Sequence, residues 1–444
     1  MSFGESLIKA RSGIVFVLAL LAGTALIFWL ENLNFSQGSG FYEVNPFPGT
    51  ETVALAQPRK LDPRELAWAE TAWQYFEKNF QPGTGLVNSV EQFPATTMWD
   101  TASYLMALIS AERLDIIGES LFDARMALCL KTLATMPLFQ DALPNKSYNT
   151  ISAAMVDYEN KEAPQGIGWS AIDICRIMVP FQVLVWHYPQ HTPAVGEVLQ
   201  RWQLGAMVKD GVLWGAVREG GEVEMVQEGR LGYEEYAAKS LNLAGMNVRE
   251  ALEVRDFLGF VKTFGITIAH DTRAPEIFEA RTYVVSEPYI LSGIEFGWDT
   301  WDAYLGSSVY RAQEARFESL GILTAVSEDH VDQAPYFVYN TVFSDGKLWA
   351  CITEQGKLVD ELRTLSTKAA IGWYALLGND YTRKLVDEVS LLAKPEHGFY
   401  AGKYEADGRP NESLSANTNA IILESLAYIE GGPFLQIAGG GGHE

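Results

Sequence analysis

The chain has 444 residues, 48% hydrophobic and 12% aromatic, which is ample for a large buried core and unlike a disordered polymer. Its 33 Lys and Arg face 56 Asp and Glu, a formal charge of −23. That field disfavours nucleic acid, anionic lipid and polyanionic substrates and is indifferent to a neutral glycan. Cys129, Cys175 and Cys351 are odd in number, widely spaced and set among apolar neighbours. They read as small buried hydrophobes rather than a disulfide framework or a zinc cluster, although one pair could still form a bridge.

After residues 1–12, Gly13 to Leu30 form an uncharged run, about 27 Å long if helical, near the lower limit for crossing a bilayer. Lys9 and Arg11 precede it and Glu31 follows. The positive-inside bias then puts residues 1–12 in the cytoplasm, 13–30 across a bacterial inner membrane, and the body on the periplasmic or extracytoplasmic side. A cleaved signal peptide is the competing reading. Residues 31–61, rich in Asn, Gly, Pro and Ser, suit a tether.

Asp62-Pro63-Arg64-Glu65 supplies an N-cap, a proline at the first helical position and a capping-box glutamate, and Leu66, Trp68, Trp73 and Phe76 follow. This opens a folded domain over 62–432, with a disordered tail expected over 433–444. Helical patterns recur over 97–113, 119–135, 169–187, 193–208, 234–245, 248–264, 288–319 with a break, 366–378, 380–393 and 414–430. Val212 to Val217 and Val223 to Val226 flank Arg218-Glu219-Gly220-Gly221-Glu222 as a β-hairpin, and short strands are expected at 282–286 and 336–343.

Several units repeat one form, a Gly-aromatic loop, a polar or acidic residue and an apolar helix: Gly85-Leu86-Val87 with Met98-Trp99-Asp100, Gly168-Trp169, Gly232-Tyr233, Gly297-Trp298 and Gly398-Phe399-Tyr400. The spacing is roughly 60 residues and uneven, a loose repeat of helical hairpins. About a dozen helices in antiparallel pairs favour a closed mainly-α toroid, with the loops before the inner helices gathered at one mouth.

Acidic and aromatic residues stand together at helix starts: Trp99-Asp100, Tyr233-Glu234-Glu235-Tyr236, Glu287-Pro288-Tyr289, Trp298-Asp299 and Trp301-Asp302. Rings stack on the C–H faces of pyranoses while carboxylates move protons or bind hydroxyls. Cleaving a glycosidic bond needs one carboxyl kept protonated near neutrality and a second that activates water or attacks the anomeric carbon. Glu235 is the expected acid; Asp100, Glu287 and Asp299 compete for the base role, and Glu234 orients or tunes its neighbour. Acids at helix starts also cap or complement the dipole, and tryptophans in helical proteins are often core. Trp99, Trp169, Tyr233, Tyr236, Tyr289, Trp298 and Trp301 are candidate sugar contacts. Arg230 either holds a carboxylate or hydroxyls, or forms a surface ion pair. Glu328-Asp329-His330 with Asp332 reads as turn and cap chemistry rather than a metal cluster, and no cofactor is expected. Walker, Gly-x-Ser-x-Gly and Rossmann signatures are absent from the sequence.

The stretches Thr84 to Ser89, Thr96 to Thr101, Gly166 to Ser170, Glu228 to Tyr236, Val284 to Tyr289, Glu295 to Asp299, Val326 to His330 and Tyr336 to Asn340 resemble the bacterial family called domain of unknown function 3131. Gly232-Tyr233-Glu234-Glu235 is more distantly similar to the Gly-Tyr-Asn-Glu type segment of the glucoamylase-like domains of cyclic β-1,2-glucan synthases and of endo-β-1,2-glucanases. Glu234 stands where that segment has asparagine, and Glu235 matches its glutamate. Thr96 to Asp100 resembles a threonine-rich loop entering an inner helix. The resemblance implies an (α/α)6 toroid. The expected activity is a membrane-anchored glycoside hydrolase or transglycosylase acting on a β-glucan or exopolysaccharide. A non-catalytic glycan-binding or scaffold subunit working with polysaccharide-synthesis proteins is the alternative, and a polysaccharide lyase is the weaker third.

Overall fold

The Asp62 carboxylate accepts hydrogen bonds from the Arg64 and Glu65 N–H groups at 2.8 and 2.9 Å, and Glu65 reaches back to the Asp62 N–H at 2.8 Å. This capping box starts α1, Pro63–Asn79. The computed structural model describes residues 51–253, 255–275 and 280–435. The expected membrane segment 13–30, the residues before it and most of the tether lie outside those residues. Among the described residues no helix is long and apolar enough to cross a membrane.

The helices that follow are α2 (Met98–Arg113), α3 (Glu119–Thr135), α4 (Ala171–His187), α5 (Thr192–Leu199) and α6 (Tyr233–Leu243). Then come α7 (Glu287–Leu291, continued by a π turn Ser292–Phe296), α8 (Thr300–Leu320), α9 (Thr367–Leu377), α10 (Asp380–Val389) and α11 (Ala416–Gly431). Around the ring α2, α4, α6, α7, α9 and α11 each pack on the next, and α11 returns to pack on α2. The alternating helices α1, α3, α5, α8 and α10 lie outside. Sequence explains the division. Every residue of α9 and nearly every residue of α11 is buried, as an all-round apolar helix requires, whereas α10 buries one stripe through Tyr381, Leu385, Val386 and Val389.

Inside the ring sits a fully buried guanidinium. Arg176 of α4 donates to the Tyr236 hydroxyl of α6 at 2.8 Å, to Glu424 of α11 at 2.9 Å, and to Glu295 in the π turn after α7. The Tyr236 hydroxyl donates in turn to Glu295 at 2.7 Å, and the Trp99 ring of α2 lies 5.6 Å from the Arg176 guanidinium carbon. Burial, with Glu295 nearby, pushes the Glu424 carboxyl well up, so one cation and one carboxylate balance. Five of the six inner helices meet in this network.

Several expectations change; the helix expected over 193–208 ends at Leu199, and the strand expected at 282–286 is a single bridge from Val284 to Phe343. The pattern over 248–264 gives one helical turn, Arg249–Leu252, and then a hairpin of Leu258–Thr263 with Ile266–Asp271. Thr263, Ile266, Thr267 and Ile268 favour strand, and Phe264-Gly265, at φ +45° and +84°, closes a two-residue turn. This hairpin packs on α8 in the place of an outer helix. The hairpin around residue 220 is longer than expected, Val212–Glu219 with Glu222–Gln227, because Gly220 and Gly221 alone make the turn. The packed chain also extends past both expected domain limits. Val53, Ala56 and Arg59 donate backbone hydrogen bonds to Ser307 Oγ, Leu376 O and Ile429 O at 2.9, 2.7 and 2.7 Å. At the other end Phe434 and Leu435 donate to the Ile294 and Glu295 carbonyls.

Replacing Arg176 by Met leaves Glu295 buried without its cation. The expected loss is about 3–5 kcal/mol of unfolding free energy, read by denaturant melts; a loss under about 1 kcal/mol contradicts the role given to the network.

Candidate active site

The inner helices start at one end of the ring, and three of them start alike. Asp100 is the third residue of α2 after the Thr97 cap, Asp173 the third of α4 after Ser170, and Glu235 the third of α6 after Gly232. Each side chain turns back to its cap. Thr97 Oγ1 donates to Asp100 at 3.0 Å, Ser170 Oγ to Asp173 at 3.2 Å, and the Gly232 N–H to Glu235 at 2.5 Å. Gly232 has φ +100°, and a Cβ there would meet Pro288 at 3.0 Å and the Tyr289 hydroxyl at 3.2 Å. Glycine is what lets the starts of α6 and α7 approach.

Trp99 and Tyr233 pack edge to face at 5.6 Å, and Trp99 lies 6.0 Å from Tyr236. This aromatic floor joins the starts of α2 and α6 across the ring, so Asp100 and Glu235 border one mouth. Burial raises the Glu235 carboxyl to about 8, with the adjacent Glu234 charge adding and the Gly232 N–H opposing. Burial likewise raises Asp173 to about 7, helped by the charges of Glu228 and Asp100. Neither carboxyl forms an ion pair among the described residues. Both are half-buried at the end of the ring where the inner helices start. Glu228 lies near Asp173, but its carboxylate accepts the Ala171 and Ile172 N–H groups at 2.6 and 3.3 Å and caps α4.

The other expected residues fall elsewhere or are held. Glu234 is buried with Arg273 Nη2 at 2.5 Å and Gln227 Nε2 at 3.1 Å. Burial works to protonate it, but a guanidinium at that distance keeps the charged pair. Glu287 is buried, bonded by Lys368 Nζ and by Asn417 Nδ2 at 3.0 Å. Asp299 caps α8, accepting from the Trp301 and Asp302 N–H groups at 2.8 and 2.9 Å and pairing with Lys239 at 2.9 Å. As the start of an outer helix, it stands at the opposite end of the ring, together with Trp298 and Trp301. Trp169 is buried with its indole N–H on the Trp214 carbonyl at 3.1 Å, and Tyr236 belongs to the Arg176 network. Tyr289 is buried beneath the Glu235 loop, and Arg230 is buried beside Gln227, its Nη1 2.5 Å from Gln227 Oε1.

Asp329 accepts from Ser366 Oγ at 3.2 Å and lies 3.9 Å from Lys368; Asp332 accepts from the Tyr404 hydroxyl at 2.7 Å and the Glu412 N–H at 3.0 Å. His330 borders the mouth and its proton affinity is lowered by burial. Among the described residues no group of His, Cys, Asp and Glu has the geometry to hold a metal, and the three cysteines are buried thiols. A cavity of about 570 Å³ opens at the far end of the ring between Arg113, Trp186, His187, Glu430 and Phe434. None of the mouth carboxyls reaches it, so volume alone does not mark the chemistry. Sequence reading passed over Asp173, although Ser170-x-x-Asp173 repeats the Thr97-x-x-Asp100 spacing and follows Gly168-Trp169.

These features define an (α/α) ring domain with an acidic, aromatic-floored mouth. The chain belongs to the protein family of unknown function DUF3131, which matches residues 67–432. No curated protein matches it. Its fold is shared with a glucoamylase-like protein from Bacteroides caccae, with a TM-score of 0.60 at 10% identity, covering 83% of this chain and 93% of that one. The endo-β-1,2-glucanase from Chitinophaga pinensis, in complex with sophorotriose and glucose, gives 0.59 at 11% identity, covering 84% and 94%. The endo-β-1,2-glucanase from Talaromyces funiculosus, in complex with sophorose, gives 0.53 at 12% identity, covering 84% of each chain.

Because Asp299 acts as an N-cap, Asp299→Ala should cost about 1 kcal/mol of stability, seen as a lowered thermal midpoint. An unchanged midpoint contradicts the capping assignment.

Proposed function

We propose that the protein is a glycoside hydrolase or transglycosylase acting on a β-glucan or exopolysaccharide, with Glu235 as the general acid and Asp173 as the general base. The observation that carries this reading is a pair of carboxyls at the third position of two neighbouring inner helices, neither ion-paired among the described residues, which burial raises to about 8 for Glu235 and about 7 for Asp173. At neutral pH Glu235 holds a proton to give to the glycosidic oxygen as that bond breaks. Asp173, half ionised and next to the Asp100 charge, takes a proton from the water, or from the acceptor hydroxyl, that attacks the anomeric carbon. Trp99 and Tyr233 offer ring surface at the floor. Inversion is the default outcome for water on the face opposite the leaving group. The β-1,2-linked sugars bound by two fold neighbours make β-1,2-glucan the first polymer to try. The apolar run 13–30 supports anchoring this activity outside an inner membrane beside polysaccharide-synthesis proteins, which cell fractionation checks.

A second reading has support in Arg273 on Glu234 and Lys368 on Glu287, since carboxylates tied to cations suit a glycan-binding subunit without turnover. Reducing-sugar release decides between them.

On a panel of defined glucans, Glu235→Gln and Asp173→Asn should each lower kcat/KM by about 10²-fold or more. Variants that stay active remove those residues from the acid and base roles. The wild-type pH profile should be a narrow bell. A base with a proton affinity near 7 loses activity as pH falls below about 7, and an acid near 8 loses activity as pH rises above about 8. A broad plateau from pH 5 to 9 contradicts the assignment.

A further inference from the structure

One wall of the mouth plays no part in the acid–base step. Tyr283, in the loop before α7, and Tyr339, in the strand Phe337–Asn340, stack face to face with centroids 3.7 Å apart and planes within 5°. Phe337 braces Tyr339 edge-on at 5.3 Å. From the loop after Val156, Tyr158 lies close enough for its charge to act on the Tyr339 phenol, and the charges of Asp173, Glu354 and Glu228 act on Tyr158 itself. Yet 60% of the Tyr158 surface is open to solvent, so it stands in the cleft rather than in the core. It joins the Asp173 side of the mouth to the tyrosine stack.

Their hydrogen-bonding capacity is unused. Among the described residues none of these three phenol oxygens has a protein hydrogen-bond partner, and none is a sealed, unsatisfied core atom. Three neighbouring phenols near the exposed Glu354, one of them largely open to solvent, with Asp173 and Glu228 close by, match an uncharged sugar ring, apolar on its faces and hydroxylated at its edge. A uronate would meet Asp173, Glu228 and Glu354 with its own negative charge.

We propose that Tyr283, Tyr339 and Tyr158 form a positioning platform that holds a neutral pyranosyl unit of the chain against the Asp173 side of the mouth. It rests on the glycan reading of the same cleft and adds the residues that select the substrate class. Stacking there orients the sugar chain; bond cleavage stays with the carboxyls.

The test uses the full protein with β-1,2-linked glucopentaose and cellopentaose as probes and an alginate pentasaccharide as the charged control. Affinity is read by calorimetry in the Glu235→Gln background and KM and kcat in the wild-type background. Tyr283→Ala and Tyr158→Ala should each weaken binding or raise KM about three- to tenfold with kcat nearly unchanged, while Tyr283→Phe, which keeps the ring and loses only the hydroxyl, should weaken binding less than Tyr283→Ala does. Tyr158 lies on an exposed loop, so its variant reports even if Tyr283→Ala fails to fold. Unchanged affinity in folded variants, no binding of either neutral probe, or equal binding of alginate overturns the platform. A protein that binds a neutral probe through these tyrosines but never cleaves it refutes the hydrolase reading and leaves the platform standing.

Discussion

A guanidinium with no exposed surface must find its counter-charge and its acceptors within the protein, and Arg176 finds them only where four inner helices close on one another. Removing one partner from such a cluster costs far more than an ordinary surface pair contributes. The network therefore fixes how α4, α6, α7 and α11 sit in the ring, and through the Trp99 ring it also touches α2. Once those helices are locked, their first turns have nowhere to go but a common rim. The position of every mouth residue follows from a contact made deeper in the ring.

At that rim two effects compete for each carboxyl. The free N–H groups and the dipole of a helix start favour the charged form by about 0.3–1 kcal/mol. Removal from bulk water and neighbouring negative charges favour the neutral form, and for an unpaired group this is the stronger influence. Lys368 reaches Glu287 and Arg273 reaches Glu234, so each of those carboxyls has a cation beside it. Asp173 and Glu235 have none among the described residues, and burial raises them to about 7 and about 8. The same ring end thus holds carboxyls tied to a cation and carboxyls without one.

Much of the fold was legible because helix starts are written locally. Asp62 caps α1 where its spacing predicts, and the helix expected from 380 starts there, behind the Asn379 cap. The helix expected over 248–264 failed because its apolar spacing fits both periods, and Phe264-Gly265 decides for a hairpin. The site was only half legible. An acid beside an aromatic at a helix start looks the same on an inner helix and on an outer one, yet antiparallel hairpins send those starts to opposite ends. Asp299 and Asp100 carry the same local signature and sit at opposite ends of the ring. Whether a carboxylate is paired depends on Arg273 or Lys368, distant in sequence, which no local pattern reveals. Asp173 was legible in principle through its cap spacing, whereas the residue singled out in that loop, Trp169, has its ring buried.

The account depends most on two carboxyls, at the starts of adjacent inner helices, whose proton affinities are raised into the neutral range. Carbon-13 NMR titration of the side-chain carboxyls, assigned by comparison with Glu235→Gln and Asp173→Asn protein, reads this directly. The expected apparent midpoints are near 8 for Glu235 and near 7 for Asp173. Midpoints for both near 4, the ordinary carboxylate range, contradict it.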